Sequence, residues 1–281
     1  MSLNICLVTT KLIAGFLFNS QVIIADGLHG ASDLITDVAV LAGLRVSKKP
    51  ADTCHHYGHR RIATLVGMFV GASLLAATAV IMIQAIRSFH DLTHNRTLDI
   101  QANLPFWLAL ATVPLKEILF RLTRRVGMRA KDASLIANAW HDRSDAMASI
   151  AAAVGLAAVM LGGRDWQFMD PLAATVVGAM LLPMAVNIIR DNAGELIDRA
   201  PEAQVLEQLE RAIRRTGGVK DIYAFRARRI GGKIAMDVNV LVDPSLTVAQ
   251  GHDIASEVRN AVQLESPDVI EVMVHIEPME G

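Results

Sequence analysis

Residues 25–44 read ADGLHGASDLITDVAVLAGL, and the fold turns on how this stretch is read. Its composition suits a helix in apolar surroundings. Yet it carries Asp26, His29, Asp33 and Asp37 at intervals of three, four and four residues. Such intervals put side chains on one face of an α-helix, a turn apart. An ionisable group in the middle of a bilayer costs on the order of a few kcal/mol unless it is partnered. A row of them marks either compensated pairing between helices or a site.

The whole chain is apolar. It has 281 residues, 52% of them hydrophobic and 5% aromatic, with a mean hydropathy of +0.37. That is too apolar for an ordinary soluble domain of this length, so a membrane protein is expected, with the lipid bilayer as its surroundings. A formal net charge of −1 offers no basic excess for a nucleic-acid partner. Cys6 lies in the first apolar run and Cys54 in a polar loop, which makes a disulfide framework unexpected. No cleavable small-residue site follows the first run, so it reads as a retained span.

Crossing the hydrocarbon core takes about 20 mostly apolar residues. Residues 62–86 give 25 without a charge, bounded by Arg61 and Arg87. Residues 171–189 give 19 and residues 146–163 give 18. A run from Ala102 continues through Lys116 and Glu117 to about Leu122. Two weaker spans precede these, residues 3–18 with Lys11 inside, and residues 22–46 with the acidic row. Six spans put both termini on one side. The loop after the second holds Arg45, Lys48, Lys49, Arg60 and Arg61, and the segment after the fourth holds Arg121, Arg124, Arg125, Arg129 and Lys131. The opposite loops are poorer in basic residues, so both termini are expected in the cytoplasm. Compactness and the lack of targeting signals favour a bacterial inner membrane.

After Arg190 the chain is charged and has no run of spanning length. A helix is expected near 201–215, strands near 223–229 and 233–242 around a GG turn, a helix near 248–262 and a strand near 269–277. Ile234, Met236, Val238, Val240 and Val242 alternate as one buried strand face would. The fold class is therefore a membrane α-helical domain of six transmembrane helices, residues 1–190, followed by a small cytoplasmic α+β domain in the order α-β-β-α-β, residues 191–281.

His29 and Asp33 stand i and i+4, with Asp33 close to mid-span. The stretch ANAWHDRSDAMASI repeats the arrangement with His141 and Asp145. Two helices that each offer an imidazole and a carboxylate can build a four-ligand site, and tetrahedral nitrogen and oxygen donors suit Zn²⁺. The plainer readings are helix packing, an ion pair or a proton relay. Asp142 points about 100° away from His141, which fits a helix contact or a cytoplasmic mouth better than ligation. Asp37 could feed ions to the site or pair with a base such as Lys116. Asp26 is expected toward the outer end of its helix. The loop KKPADTCHHYGHRR gathers Asp52, Cys54, His55, His56 and His59 between basic pairs. A histidine-dense tract reads as metal binding, against the alternative of a basic loop lying on anionic lipid.

Together LHGASDLITD, PADTCHHYGHRR and ANAWHDRSDA, set in six spans with a small domain behind them, resemble the cation diffusion facilitators over nearly the whole chain. The resemblance implies a homodimeric exporter of divalent metal driven by proton antiport. It implies His29, Asp33, His141 and Asp145 as the transport site, and Asp52, His55 and His59 as a loop site. Two histidines and two aspartates resemble the zinc-selective branch, with Fe²⁺, Mn²⁺ or another divalent metal as the alternative cargo. A non-transporting metal-sensing partner subunit on the same fold is a further alternative. The small domain would have a metallochaperone-like fold, dimerise and hold regulatory zinc, with Asp237, His252 and His275 at matching positions. His275 and Glu277 share a strand face, while His252 could equally be a packed residue. Asn239 stands where many members have histidine, so a weaker or differently built site is expected there. Members usually open with a basic tail, whereas here the first span starts almost at Met1.

An enzyme is not expected. The chain has no HExxH and no GxSxG, and it lacks the GxxxxGK[ST] loop of an ATP-driven pump. No organic cofactor is implied.

Overall fold

The computed structural model describes the backbone of residues 2–94, 102–130 and 133–279, and their side chains except at residues 2–4, 36–42, 44, 127, 130, 133–145, 148 and 164. Among the described residues six long helices come first: α1 (Ser2–Leu17), α2 (Gln21–Ser47), α3 (Arg61–Thr93), α4 (Asn103–Ala130), α5 (Ala133–Gly162) and α6 (Met169–Leu196). Among the described residues, α3 and α6 are the helices long and apolar enough throughout to cross a membrane on their own account. Several helices outrun their apolar runs, α3 to Thr93, α4 to Ala130 and α6 to Leu196, and α5 starts thirteen residues before the apolar run at Ala146. Hydropathy marks only the part of a helix that lipid touches.

The chain divides into two compact units, residues 1–39 with 69–188, and residues 40–68 with 189–281. The core of the first is built from small and branched side chains: Val22, Ile23 and Ala25 on α2, Leu74 and Ile81 on α3, Ala109 on α4, Ala152 and Leu156 on α5, and Ala174, Val177 and Ala185 on α6. Larger apolar side chains such as Phe16, Phe69, Trp107 and Leu161 point outward. Small residues inside and bulky ones outside is the pattern of helices packed in lipid, where the solvent is as apolar as the core. The approach of α1 to α2 is close enough that a Cβ on Gly15 would stand 2.9 Å from the backbone nitrogen of Ile24. Asn19, with φ of 52°, turns the chain between these two helices.

Among the described residues, this unit has buried polar contacts between its helices. Lys11 Nζ lies 2.5 Å from Asp26 Oδ2, and Ser149 Oγ stands 3.1 and 3.2 Å from the two carboxyl oxygens of Asp26. Asp170, at the start of α6, accepts from Ser20 Oγ at 2.7 Å, from the Gln21 amide at 2.8 Å and from the Val22 amide at 3.4 Å. It thereby caps α2 from another helix, satisfying amides that have no partner within their own helix.

In the second unit, α7 (Ala203–Arg214), β1 (Asp221–Ile230), β2 (Lys233–Val242), α8 (Val248–Glu265) and β3 (Val269–Pro278) form the expected α-β-β-α-β domain. Gly231 and Gly232, at φ of 59° and 72°, make the tight turn that pairs β1 antiparallel to β2. α8, opened by a Thr247–Gln250 capping box, crosses over to place β3 parallel to β2. Leu209 and Ile213 of α7 and Val258 and Val262 of α8 cover Met236, Val238 and Val240 in one core. The other sheet face is open. In the same unit Arg61, opening α3, reaches Asp198 at 2.6 Å and the Leu196 carbonyl at 3.0 Å, while Glu195 accepts from Thr64 and from the Gly231 amide.

Candidate metal centre

On α2, His29 Nε2 and Asp33 Oδ2 face each other at 3.9 Å, one helical turn apart. His29 is buried at 6% exposure and Asp33 is half-buried. That separation exceeds a hydrogen bond and leaves both groups on one side of the helix. His141 and Asp145 lie on α5 with the same spacing, and Asp142 beside them. Their side chains, and that of Asp37, are outside the described residues.

Asp26 belongs to a different arrangement. The sequence reading put it toward the outer end of α2; it sits five residues beyond Gln21, is 4% exposed and is matched by Lys11. An unpartnered ammonium or carboxylate at that depth would be costly, and each supplies the other's counter-charge. Sequence reasoning treated Lys11 as a blemish in a weak span, and it missed Ser149 and Asp170. A signal for the first pair exists: Lys11 and Asp26 stand about equally far from the turn at Asn19. In an antiparallel helical hairpin such positions are level.

The loop between α2 and α3 brings Asp52, His55 and His59 together, and among the described residues it is the one cluster of three such groups compact enough for an ion. Asp52 Oδ1 accepts from the Cys54 amide at 2.9 Å and the His55 amide at 2.7 Å, closing a turn on its own side chain. Gly58, at φ of 76°, carries the chain back so that its amide meets the His55 carbonyl at 2.9 Å. His55 Nδ1 then stands 3.3 Å from Asp52 Oδ1, and His59 Nε2 stands 3.3 Å from Asp52 Oδ2. Ligand atoms about 2.0–2.1 Å from a tetrahedral zinc lie roughly 3.3–3.5 Å from one another, so these spacings fit. The two backbone amides, of Cys54 and then His55, together with the nearby imidazoles hold the Asp52 carboxyl below the usual carboxylate range. It is therefore ionised wherever a histidine is neutral enough to ligate. Cys54 and His56 are exposed on the same loop.

The small domain does not bring its three candidates together within one chain. Asp237 and His275 are on the open sheet face, where Asp237 is opposite Arg226 and Met273, and His275 is opposite Asn239. Asn239 donates to Glu277 at 2.7 Å, and His275 Nε2 lies 3.6 Å from the same carboxylate. His252 is on α8, on the helix side, where with Leu246, Val248, Val274, Ile276 and Pro278 it lines a cavity of about 470 Å³.

Comparison with known proteins agrees with this architecture. Residues 1–197 match the family model of the cation efflux transmembrane domain, and residues 201–279 match that of the cation efflux protein cytoplasmic domain. The chain is 33% identical over 290 residues to metal tolerance protein C1 of Arabidopsis thaliana, covering 99% of this chain and 61% of that one. It is 31% identical over 279 residues to the manganese efflux system protein MneP of Bacillus subtilis, covering 98% and 92% respectively. With MneS, a second manganese efflux system protein of that organism, identity is 30% over 96% of this chain and 90% of the other. Thus the chain spans about three-fifths of the plant protein and nearly all of the bacterial ones. Six helices carrying paired histidine and aspartate, a small α-β-β-α-β domain and these matches along the full length lead to one conclusion. The chain belongs to the cation diffusion facilitator family of divalent-metal efflux transporters, which are integral membrane proteins and not enzymes.

Proposed function

We propose that the protein exports a divalent cation, zinc foremost, from the cytoplasm in exchange for protons, with His29, Asp33, His141 and Asp145 as the four ligands of the transported ion. The observation that carries this reading is the contact between Asp26 of α2 and Ser149 of α5. It sets the register of two helices that run antiparallel in a six-span order. From that level, His29 is three residues along α2 and Asp145 four residues back along α5, roughly 4.5 and 6 Å by the helix rise. Asp33 and His141 then share the next level, about a turn further. Each level pairs an imidazole with a carboxylate, which supports one shared site on facing helices.

To bind the cation, the imidazoles must be neutral and the carboxylates ionised, so metal entry releases protons. Exposure to a more acidic outer side reprotonates the histidines and expels the ion, and the protonated site returns. Asp52, His55 and His59 hold a second ion on the cytoplasmic loop. The match of residues 201–279 to the cation efflux protein cytoplasmic domain supports pairing of the small domain with a second copy, a homodimer. Asp237, His252 and His275, apart in one chain, would act as ligands only with groups from that copy. Both termini lie in the cytoplasm and the membrane is a bacterial inner membrane.

Manganese is the second reading, favoured by the names of the two Bacillus subtilis relatives. Manganese prefers oxygen donors and six-fold coordination, whereas two imidazoles favour zinc. Proteoliposomes holding a metal-sensitive dye, driven by an imposed proton gradient, separate the two. The expected result is zinc uptake faster than manganese uptake, with both falling to the protein-free background in Asp33→Ala and Asp145→Ala. Faster manganese uptake would reassign the cargo. Uptake unchanged in both variants would remove the four-ligand site.

A further inference from the structure

A second histidine pair lies at the far end of α3, outside every site described so far. His90 and His94 are one turn apart, both exposed, with ring centroids 4.2 Å apart and an interplanar angle of 30°. Helical hydrogen bonding persists to this point, the His94 amide lying 3.2 Å from the His90 carbonyl. His94 Nδ1 is 2.9 Å from that same carbonyl oxygen. A carbonyl only accepts, so Nδ1 carries a proton, and in the neutral ring Nε2 keeps its lone pair. Hydrogen bonding at the other ring nitrogen is what fixes the tautomer of a metal-ligating histidine. Core packing does not account for the pair, because neither ring is buried. Helix propensity does not either, since histidine is a mediocre helix former. Two protonated rings stacked in this way would repel each other.

We propose that His90 and His94 form a two-imidazole site for a borderline divalent cation, Zn²⁺, Ni²⁺ or Cu²⁺, at the end of α3, with water completing the coordination. Imidazoles at i and i+4 lie on one helix face and can converge on one ion. Arg87, one turn earlier and exposed, weakens the site electrostatically, and half-buried Asp91 offsets part of that charge. With both termini cytoplasmic, the end of α3 faces outward, so the pair would receive a cation leaving the transport site. That placement rests on the proposed topology; binding by the pair does not.

Cu²⁺ is the sharpest probe, because it stands highest in the divalent affinity order and its electron paramagnetic resonance reports bound nitrogen. The full chain would be purified without a polyhistidine tag, in a background of His29→Ala, Asp33→Ala, His55→Ala, His56→Ala, His59→Ala and His141→Ala. This background removes the other clustered histidines, so the result is independent of whether the transport reading holds. The expected result is a nitrogen-coordinated Cu²⁺ signal that is lost in His90→Gln/His94→Gln. Each single substitution should weaken Cu²⁺ binding by about tenfold or more. Zn²⁺ should displace the copper only in large excess, because it stands lower in the same order. A signal unchanged in the double variant overturns the site, as does the absence of a nitrogen-coordinated signal in the background chain. Both substituted residues are exposed, and elution at the same size on gel filtration confirms that the variant is intact.

Discussion

A lysine ammonium and an aspartate carboxylate 2.5 Å apart inside an apolar bundle are held there by each other's charge. Lys11 is 5% exposed, Asp26 4% and Ser149 0%, so removing one partner leaves the other with nothing comparable to turn to. Lys11→Ala should cost about 3–5 kcal/mol of stability, because it strands a buried charge. Lys11→Met combined with Asp26→Leu should cost much less, since both desolvated charges go at once. Thermal unfolding of the detergent-solubilised protein measures the difference. A double variant no more stable than Lys11→Ala would mean that the pair is not what holds these groups. The same residues show how far a sequence can be read. The helical face carrying Asp26, His29 and Asp33 follows from spacing alone. Which of those groups has a partner depends on the neighbouring helix, and there only the hairpin count about Asn19 pointed to Lys11.

Among elements, α2 is held at its start by a residue almost 150 positions away in the chain. Asp170 reads in sequence as an ordinary acid in the first turn of α6, and nothing local distinguishes it. In the fold its carboxyl accepts from Ser20 Oγ and two α2 amides, at a position where water does not reach. Asp170→Ala should therefore free the start of α2 and cost about 1–2 kcal/mol, as the loss of a helix cap does. Asp170→Asn keeps an accepting oxygen and should cost less. Hydrogen exchange at the amides of Gln21 to Ile24 checks this: exchange should quicken in Asp170→Ala and much less in Asp170→Asn. Equal protection in both would show that the cap is dispensable. Existence and order of the elements were legible, because six apolar runs and a period-two strand are set by burial. The helix ends were not, since α3 and α4 continue past the lipid-facing part on helical hydrogen bonds that hydropathy does not register. In the small domain, alternation put Asp237 and His275 on the open sheet face correctly. The side on which His252 stands depended on where α8 packs, which no strand pattern encodes.

For the whole molecule the remaining question is orientation, because the histidine loop can hold a cytoplasmic cation only if it faces the cytoplasm. Arg45, Lys48, Lys49, Arg60 and Arg61 flank that loop, and the segment after α4 is equally basic, whereas the loops on the other side are not. Such a bias holds basic segments on the cytoplasmic side during insertion. Cys54 supplies a built-in reporter, since it is exposed on this loop and the chain's other cysteine is Cys6. In a Cys6→Ser background, a membrane-impermeant maleimide should label Cys54 in inside-out vesicles. In intact right-side-out vesicles it should label Cys54 only after permeabilisation. Labelling of intact right-side-out vesicles would put Asp52, His55 and His59 outside and turn the end of α3, with its own histidine pair, to the cytoplasm. Exchange for incoming protons exports the cation in either orientation, so this measurement fixes which side of the membrane each histidine site serves.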